Sequence, residues 1–230
     1  MPRKSKSARH SEAALPTPLD SQNIAKKEKR PVAEKRKKDA LRPAEALEPH
    51  DDVQALLRAA SFAARKHRGQ TRADGATPYF SHVARVTLIL AHVFGVNDAD
   101  TLTAAFLHDT IEDTATDYDE LEEVFGRTVA DYVVALTKNV MLPKKRREAE
   151  YEERLVAAPE NVKIAKMADI YDNLSDRVNS PKIVKTTATA ERLLAAFGDR
   201  LETALGRKAH EKTLRLLATI EVAAAVKPRS

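Results

Sequence analysis

The chain has 230 residues, 43% hydrophobic and 32% charged, enough for a sizeable core in one compact domain. It has no cysteine, which excludes disulfides, thiolate metal sites and cysteine nucleophiles, and suits a reducing cytoplasm. The net charge of +5 is unevenly placed: residues 1–50 carry 13 Lys and Arg against 7 Asp and Glu, whereas residues 51–230 carry 26 against 27. The basic character therefore belongs to the N-terminal stretch, and the chain as a whole does not read as a nucleic-acid binder. No apolar run approaches the ~18 residues of a spanning helix, and the N-terminus lacks the apolar stretch of a secretory signal.

Residues 1–50 contain six prolines and the charge runs Lys26–Arg30 and Lys35–Lys38, with mostly isolated alanines as apolar content. That composition cannot offset the entropy of ordering, so a disordered basic arm is expected. It reads either as a solvated tail or as a weak contact for nucleic acid, ribosome or an anionic surface. From Asp51 the pattern turns helical. Val53, Leu56, Leu57 and Ala60 fall at i, i+3, i+4 and i+7 behind Asp51 and Asp52. A loop from Gly69 to Pro78 follows, then predicted helices over 80–94, 98–112, 119–138, 144–156, 161–178, 184–205 and 207–225. The breaks are placed at Gly95, Asp117, Pro143, Pro159, Pro181 and Gly206. Val86–Leu90 is β-branched enough for a strand, but its neighbours favour helix. With no alternating strand pairs, the fold class is all-α over 51–230.

The chemistry concentrates in Phe106-Leu107-His108-Asp109-Thr110-Ile111-Glu112-Asp113-Thr114. On a continuous helix, His108, Asp109, Glu112 and Asp113 would share one face. Three carboxylates and an imidazole crowded together are unfavourable unless a cation neutralises them. By themselves these residues allow two readings: a solvated acidic helix end, or a site for a hard-to-borderline divalent ion, for which Mn²⁺ or Fe²⁺ suits a mixed His/carboxylate set better than Ca²⁺. His82 opens an apolar helix and points an imidazole into the bundle. Asp169 lies among apolar helical residues, where a carboxylate needs a partner, either a nearby Lys or Arg or a metal.

The order His82 … His108-Asp109 … Asp169 resembles the metal-binding signature of the HD-domain phosphohydrolases, and within them the hydrolase domain of RelA/SpoT enzymes. Phe62–Arg72, Pro78–His82, Ala105–Thr114, Leu136-Thr137-Lys138 and Lys166–Leu174 are similar to that family's segments, in order, across about residues 51–205. Leu142-Pro143-Lys144 is similar to the stand-alone metazoan SpoT homologues. The resemblance implies an all-α fold with one Mn²⁺ held by His82, His108, Asp109 and Asp169. It implies Glu112 and Asp113 as the catalytic pair that activates water, Arg72 as the residue packing on the guanine base and Asn173 as a ribose contact. Lys138 and Lys144 are implied as neighbours of the phosphates. The implied reaction is release of pyrophosphate from the 3′ side of guanosine 3′,5′-bis(diphosphate), in a cytoplasmic stringent-response setting. With no room for synthetase and regulatory domains after residue 230, the expectation is hydrolysis without alarmone synthesis. A variant acting on (p)ppApp or NADPH is the near alternative. An antitoxin-like partner of a small alarmone synthetase and an alarmone sensor are the distant ones. Departures are Val83 after the first ligand, Ala73 and Ser175 where basic residues are common, and Ile170-Tyr171-Asp172 within the run after Asp169.

Overall fold

The computed structural model describes residues 51–226, so the arm expected over 1–50 lies outside the described residues. The described residues form helices α1 (Asp51–Lys66), α2 (Phe80–Leu88), α3 (Ala99–Leu107), α4 (Thr110–Asp113), α5 (Tyr118–Phe125), α6 (Arg127–Leu136), α7 (Lys144–Ala157), α8 (Glu160–Arg177), α9 (Ile183–Phe197) and α10 (Ala204–Val226). Among these residues there is no strand. A single antiparallel bridge, Thr71 to Pro78, pins the loop between α1 and α2. The all-α expectation holds, and Val86–Leu90 is helical: α2 runs on into a wider π turn over Ile89–Phe94 before breaking at Gly95. No described helix is long and apolar enough to cross a membrane.

Helix α8 is the hub, packing against α10, α9, α2 and α3. Its apolar positions Val162, Ile164, Met167 and Leu174 join Phe94 from the π turn, Leu194 and Phe197 from α9, and Leu217 from α10 in one cluster. A second cluster joins α1 (Ala59, Phe62, Ala63), Val83, Leu107, Leu121 and Val133. Full burial of residues such as Phe94 and Leu107 stabilises by about 1.5–3 kcal/mol each. Helices α2, α3 and α6 contribute to both clusters.

The helix expected from Asp51 is α1; its inward face is Ala59, Phe62 and Ala63, with Leu56 packed partly, while Val53 and Leu57 are exposed. Three expected helices and one expected break need correction. The helix expected over 98–112 stops at Leu107, where the Thr110 hydroxyl takes the Leu107 carbonyl at 2.7 Å and Asp109 turns to φ −101°, ψ 0°. The helix expected over 119–138 divides at Gly126, whose φ of 85° a side chain would make costly. The helix expected over 184–205 ends at Phe197, and the expected break at Gly206 lies inside α10.

Gly206 has a packing reason instead. A Cβ there would stand 1.9 Å from Glu160 Oε1. Glu160 reaches from the start of α8 to accept from Glu202 N at 2.9 Å, Thr203 N at 3.1 Å and Thr203 Oγ1 at 2.6 Å, so it caps the entry to α10.

Candidate active site

Three elements aim polar groups at one point. His82 comes from the first turn of α2, His108 and Asp109 from the junction of α3 and α4, and Asp169 from the middle of α8. His82 Nε2 lies 3.2 Å from Asp169 Oδ1 and 3.6 Å from Asp109 Oδ2; His108 Nε2 lies 3.1 Å from Asp109 Oδ2 and 4.0 Å from Asp169 Oδ1. Ligand atoms of His82, His108 and Asp109 all fall within 4.8 Å of one another. Ligands held at about 2.0–2.2 Å around one ion stand roughly 3–3.6 Å apart, so the spacing fits a metal centre.

The outward nitrogens say the same. His82 Nδ1 bonds Asp172 Oδ2 at 2.6 Å and His108 Nδ1 bonds the Ala105 carbonyl at 2.8 Å, which leaves Nε2 of each ring facing the centre. His108 Nε2 is buried without a hydrogen-bond partner, an orphan that a metal would satisfy. The electrostatics also call for positive charge. Burial alone would push His108 down, yet the Asp109 carboxylate, aided by Asp169, raises it to about 9. His82 is raised likewise: bonds to Asp169 and Asp172 overcome its burial. Burial opposes ionisation of Asp169, but the Lys166 ammonium at 2.6 Å and both imidazoles hold it well below the carboxylate range.

The centre opens on a cleft of about 510 Å³ lined by Arg72, Tyr79, Glu112, Asp113, Lys138 and Asn173, among others. Glu112 is half-buried, and its Oε2 accepts from Lys138 N at 3.0 Å. Asp113 is raised, first by burial and then by the charges of Asp109 and Glu112. Arg72 is buried, donates to Asp176 Oδ2 at 2.8 Å and lies 5.7 Å from the Tyr79 ring centroid. Asn173 donates to Asp169 Oδ1 at 2.6 Å and accepts from Arg72 at 3.4 Å, linking the two. The loop after α1 sets Arg72 in place through Arg72 N to Thr77 O at 2.8 Å, with Asp74 tying Thr77 N at 2.9 Å.

Nine of the ten residues singled out in the sequence thus meet at this centre or its cleft. Lys144, exposed at the start of α7, does not line it. Several residues escaped the sequence reading. Tyr79 donates to Asp109 Oδ2 at 2.6 Å. Asp172 holds His82 and also accepts from Arg85 Nε at 2.6 Å. Lys166 neutralises Asp169, and Arg177, Lys182 and Lys185 form part of the cleft wall. Asp172 lay in the run after Asp169, and Lys166 is the nearby cation that Asp169 allowed for, three residues before it on the same helix; the roles of Tyr79, Arg177, Lys182 and Lys185 depend on which elements pack together. Ala73 and Ser175 are both exposed and bring no charge to the site.

Comparison with known proteins agrees. The HD domain family matches residues 59–172. The guanosine-3′,5′-bis(diphosphate) 3′-pyrophosphohydrolase MESH1 of Danio rerio is 43% identical over 122 residues, covering 53% of this chain and 68% of that protein. The Homo sapiens protein of the same name is 45% identical over the same length and shares. The bifunctional (p)ppGpp synthase/hydrolase SpoT of Escherichia coli is 36% identical over 132 residues, 55% of this chain but only 18% of that protein. Among solved structures, a metazoan ortholog of SpoT that hydrolyses ppGpp and plays a role in starvation responses superposes with a TM-score of 0.62 at 27% identity, covering 74% of this chain and 97% of that one. With its two imidazoles and two carboxylates converging from three helical elements, the chain belongs to the HD-domain phosphohydrolases, in the branch that includes the MESH1 proteins.

Proposed function

We propose that the protein hydrolyses guanosine 3′,5′-bis(diphosphate), as ppGpp or pppGpp, to GDP or GTP plus pyrophosphate, and that its ion is Mn²⁺. The observation that carries this reading is the convergence of His82, His108, Asp109 and Asp169 beside Glu112 and Asp113 in one cleft. The relatives named for this reaction support the substrate. Two imidazoles with two carboxylates, and no thiolate in the chain, support Mn²⁺ among divalent ions.

A divalent ion held by these four residues lowers the pKa of water and offsets phosphate charge. The chain's own groups do the rest. Water oxygen bonds to the phosphorus carried on the nucleotide 3′ oxygen, the bond from that phosphorus to the 3′ oxygen breaks, and the 3′ oxygen takes a proton. Glu112, positioned by the Lys138 amide, and Asp113, raised by burial and by the charges of Asp109 and Glu112, are the pair that takes the proton of the water. Arg72, bonded to Asp176 and Asn173, is the residue that packs its guanidinium on the guanine. Asn173 serves the ribose and Lys138 the phosphates.

The test is Mn²⁺-dependent turnover of ppGpp by the protein and by a Glu112→Ala/Asp113→Ala double variant. The variant should keep its helical circular dichroism and its Mn²⁺ binding and lose at least about a hundred-fold in rate. A variant as fast as the parent would remove the pair from the mechanism.

A further inference from the structure

Glu112 and Asp113 stand on an element too short to hold itself. Helix α4 has four residues, and its ladder is Asp113 N to Asp109 O at 2.9 Å and Thr114 N to Thr110 O at 3.1 Å. A single turn gains few bonds for the entropy it costs, so its geometry is set from outside. Glu112 is tied through its carboxylate to Lys138 N. The tie on Asp113 comes from the loop after α1, where Gln70 Nε2 donates to the Asp113 carbonyl at 2.7 Å.

Gln70 is itself fixed at each of its polar groups. Its backbone N donates to His67 O at 3.0 Å, its carbonyl accepts from Tyr79 N at 2.9 Å, and its Oε1 lies 2.7 Å from Nδ1 of the buried His67. A backbone carbonyl only accepts, so the amide turns its NH₂ to Asp113 and its oxygen to His67, whose Nδ1 then donates. His67 in turn packs on the Tyr79 ring, with centroids 4.9 Å apart. The amide thus has one orientation, and Gln70 is not among the residues lining the cleft. Resting on the hydrolase reading above, we propose that Gln70 is a positioning residue for Asp113. Its amide, oriented by His67, holds the Asp113 carbonyl so that the Asp113 carboxylate meets the water at proton-transfer distance. Gln70 contributes neither to metal binding nor to substrate binding.

The test uses the full chain with Mn²⁺ and ppGpp. Gln70→Met removes both side-chain bonds at similar length, whereas Gln70→Glu keeps the acceptor for His67 and loses the donor to Asp113. Each should lose about thirty-fold in kcat, within the cost of misplacing a catalytic group by about an ångström, with KM within about two-fold of the parent's. Helical circular dichroism and calorimetric Mn²⁺ affinity should match the parent's, which shows the variants folded and the centre intact. In an Asp113→Asn background, adding Gln70→Met should change the residual rate by less than about two-fold, because the group it positions is already gone. Unchanged kcat in either variant overturns the role. So does a rise in KM or a loss of Mn²⁺ affinity in place of the kcat effect, or a full loss on top of Asp113→Asn, since each is what a loosened loop would give. No turnover of ppGpp by the parent would overturn the hydrolase reading and the positioning role with it; an active parent with unchanged variants overturns the role alone.

Discussion

His82 is gripped from both sides, by Asp172 at Nδ1 and by the acidic centre at Nε2. Asp172 is itself shared with Arg85, so the imidazole is oriented by an ion pair from its own helix and α8 together. Replacing Asp172 with Asn should weaken Mn²⁺ binding by roughly 10–100-fold in a calorimetric titration while leaving the fold intact. Undiminished affinity would show that the carboxylate does not orient the ring. Of the residues at the centre, His82, His108, Asp109 and Asp169 were picked out in the sequence by the resemblance of their order to a family signature; taken singly, each allowed an ordinary structural role. Asp172 gave less warning, since its partner is 90 positions away and only the packing of α2 on α8 brings the two together.

At the scale of elements, helix periodicity was easy to read and helix interruption was not. Residues 98–112 keep helical spacing throughout, but the Thr110 side chain competes for a backbone carbonyl and turns Asp109 out of the ladder. That turn lets His108 and Asp109 face the same centre without lying on one continuous helix. Gly206 misled in the opposite sense: glycine commonly ends helices, yet here it makes room for Glu160. Gly206→Ala should therefore destabilise the protein by about 1 kcal/mol in urea unfolding, despite alanine's better helix propensity. In a Glu160→Ala background the same change should be neutral or stabilising; additive effects would contradict this coupling. Burial opposes ionisation of Glu160, but its bonds from Thr203 and Glu202 prevail and keep its pKa below the ordinary value. Its contribution to stability is thus complete above the ordinary glutamate range and lost as pH falls through the folded value. Glu160→Gln should flatten the acid limb of a Tm-against-pH curve, and an unchanged limb would discount the cap.

For the molecule as a whole, the centre joins three elements, of which α2 and α8 are tied besides by the Arg85–Asp172 ion pair. Binding an ion there stabilises the folded state alone, by about 2.7 kcal/mol when the free ion is a hundred times its Kd. Chelation should then lower Tm by roughly 5–10 °C in a domain of this size. A midpoint indifferent to chelator would mean that the four groups do not hold a metal. The helical class and the order of the site segments were readable from composition, period and motif. The cationic part of the cleft lining was not, because Arg177, Lys182 and Lys185 look like solvated surface charge until α8 and α9 are packed around it. The most direct measurement is hydrolysis of ppGpp in ¹⁸O-labelled water with Mn²⁺, with the products separated by mass. The account predicts unlabelled GDP and pyrophosphate carrying one heavy oxygen, both absent when the metal is chelated. Labelled orthophosphate, or heavy oxygen in the GDP, would contradict it.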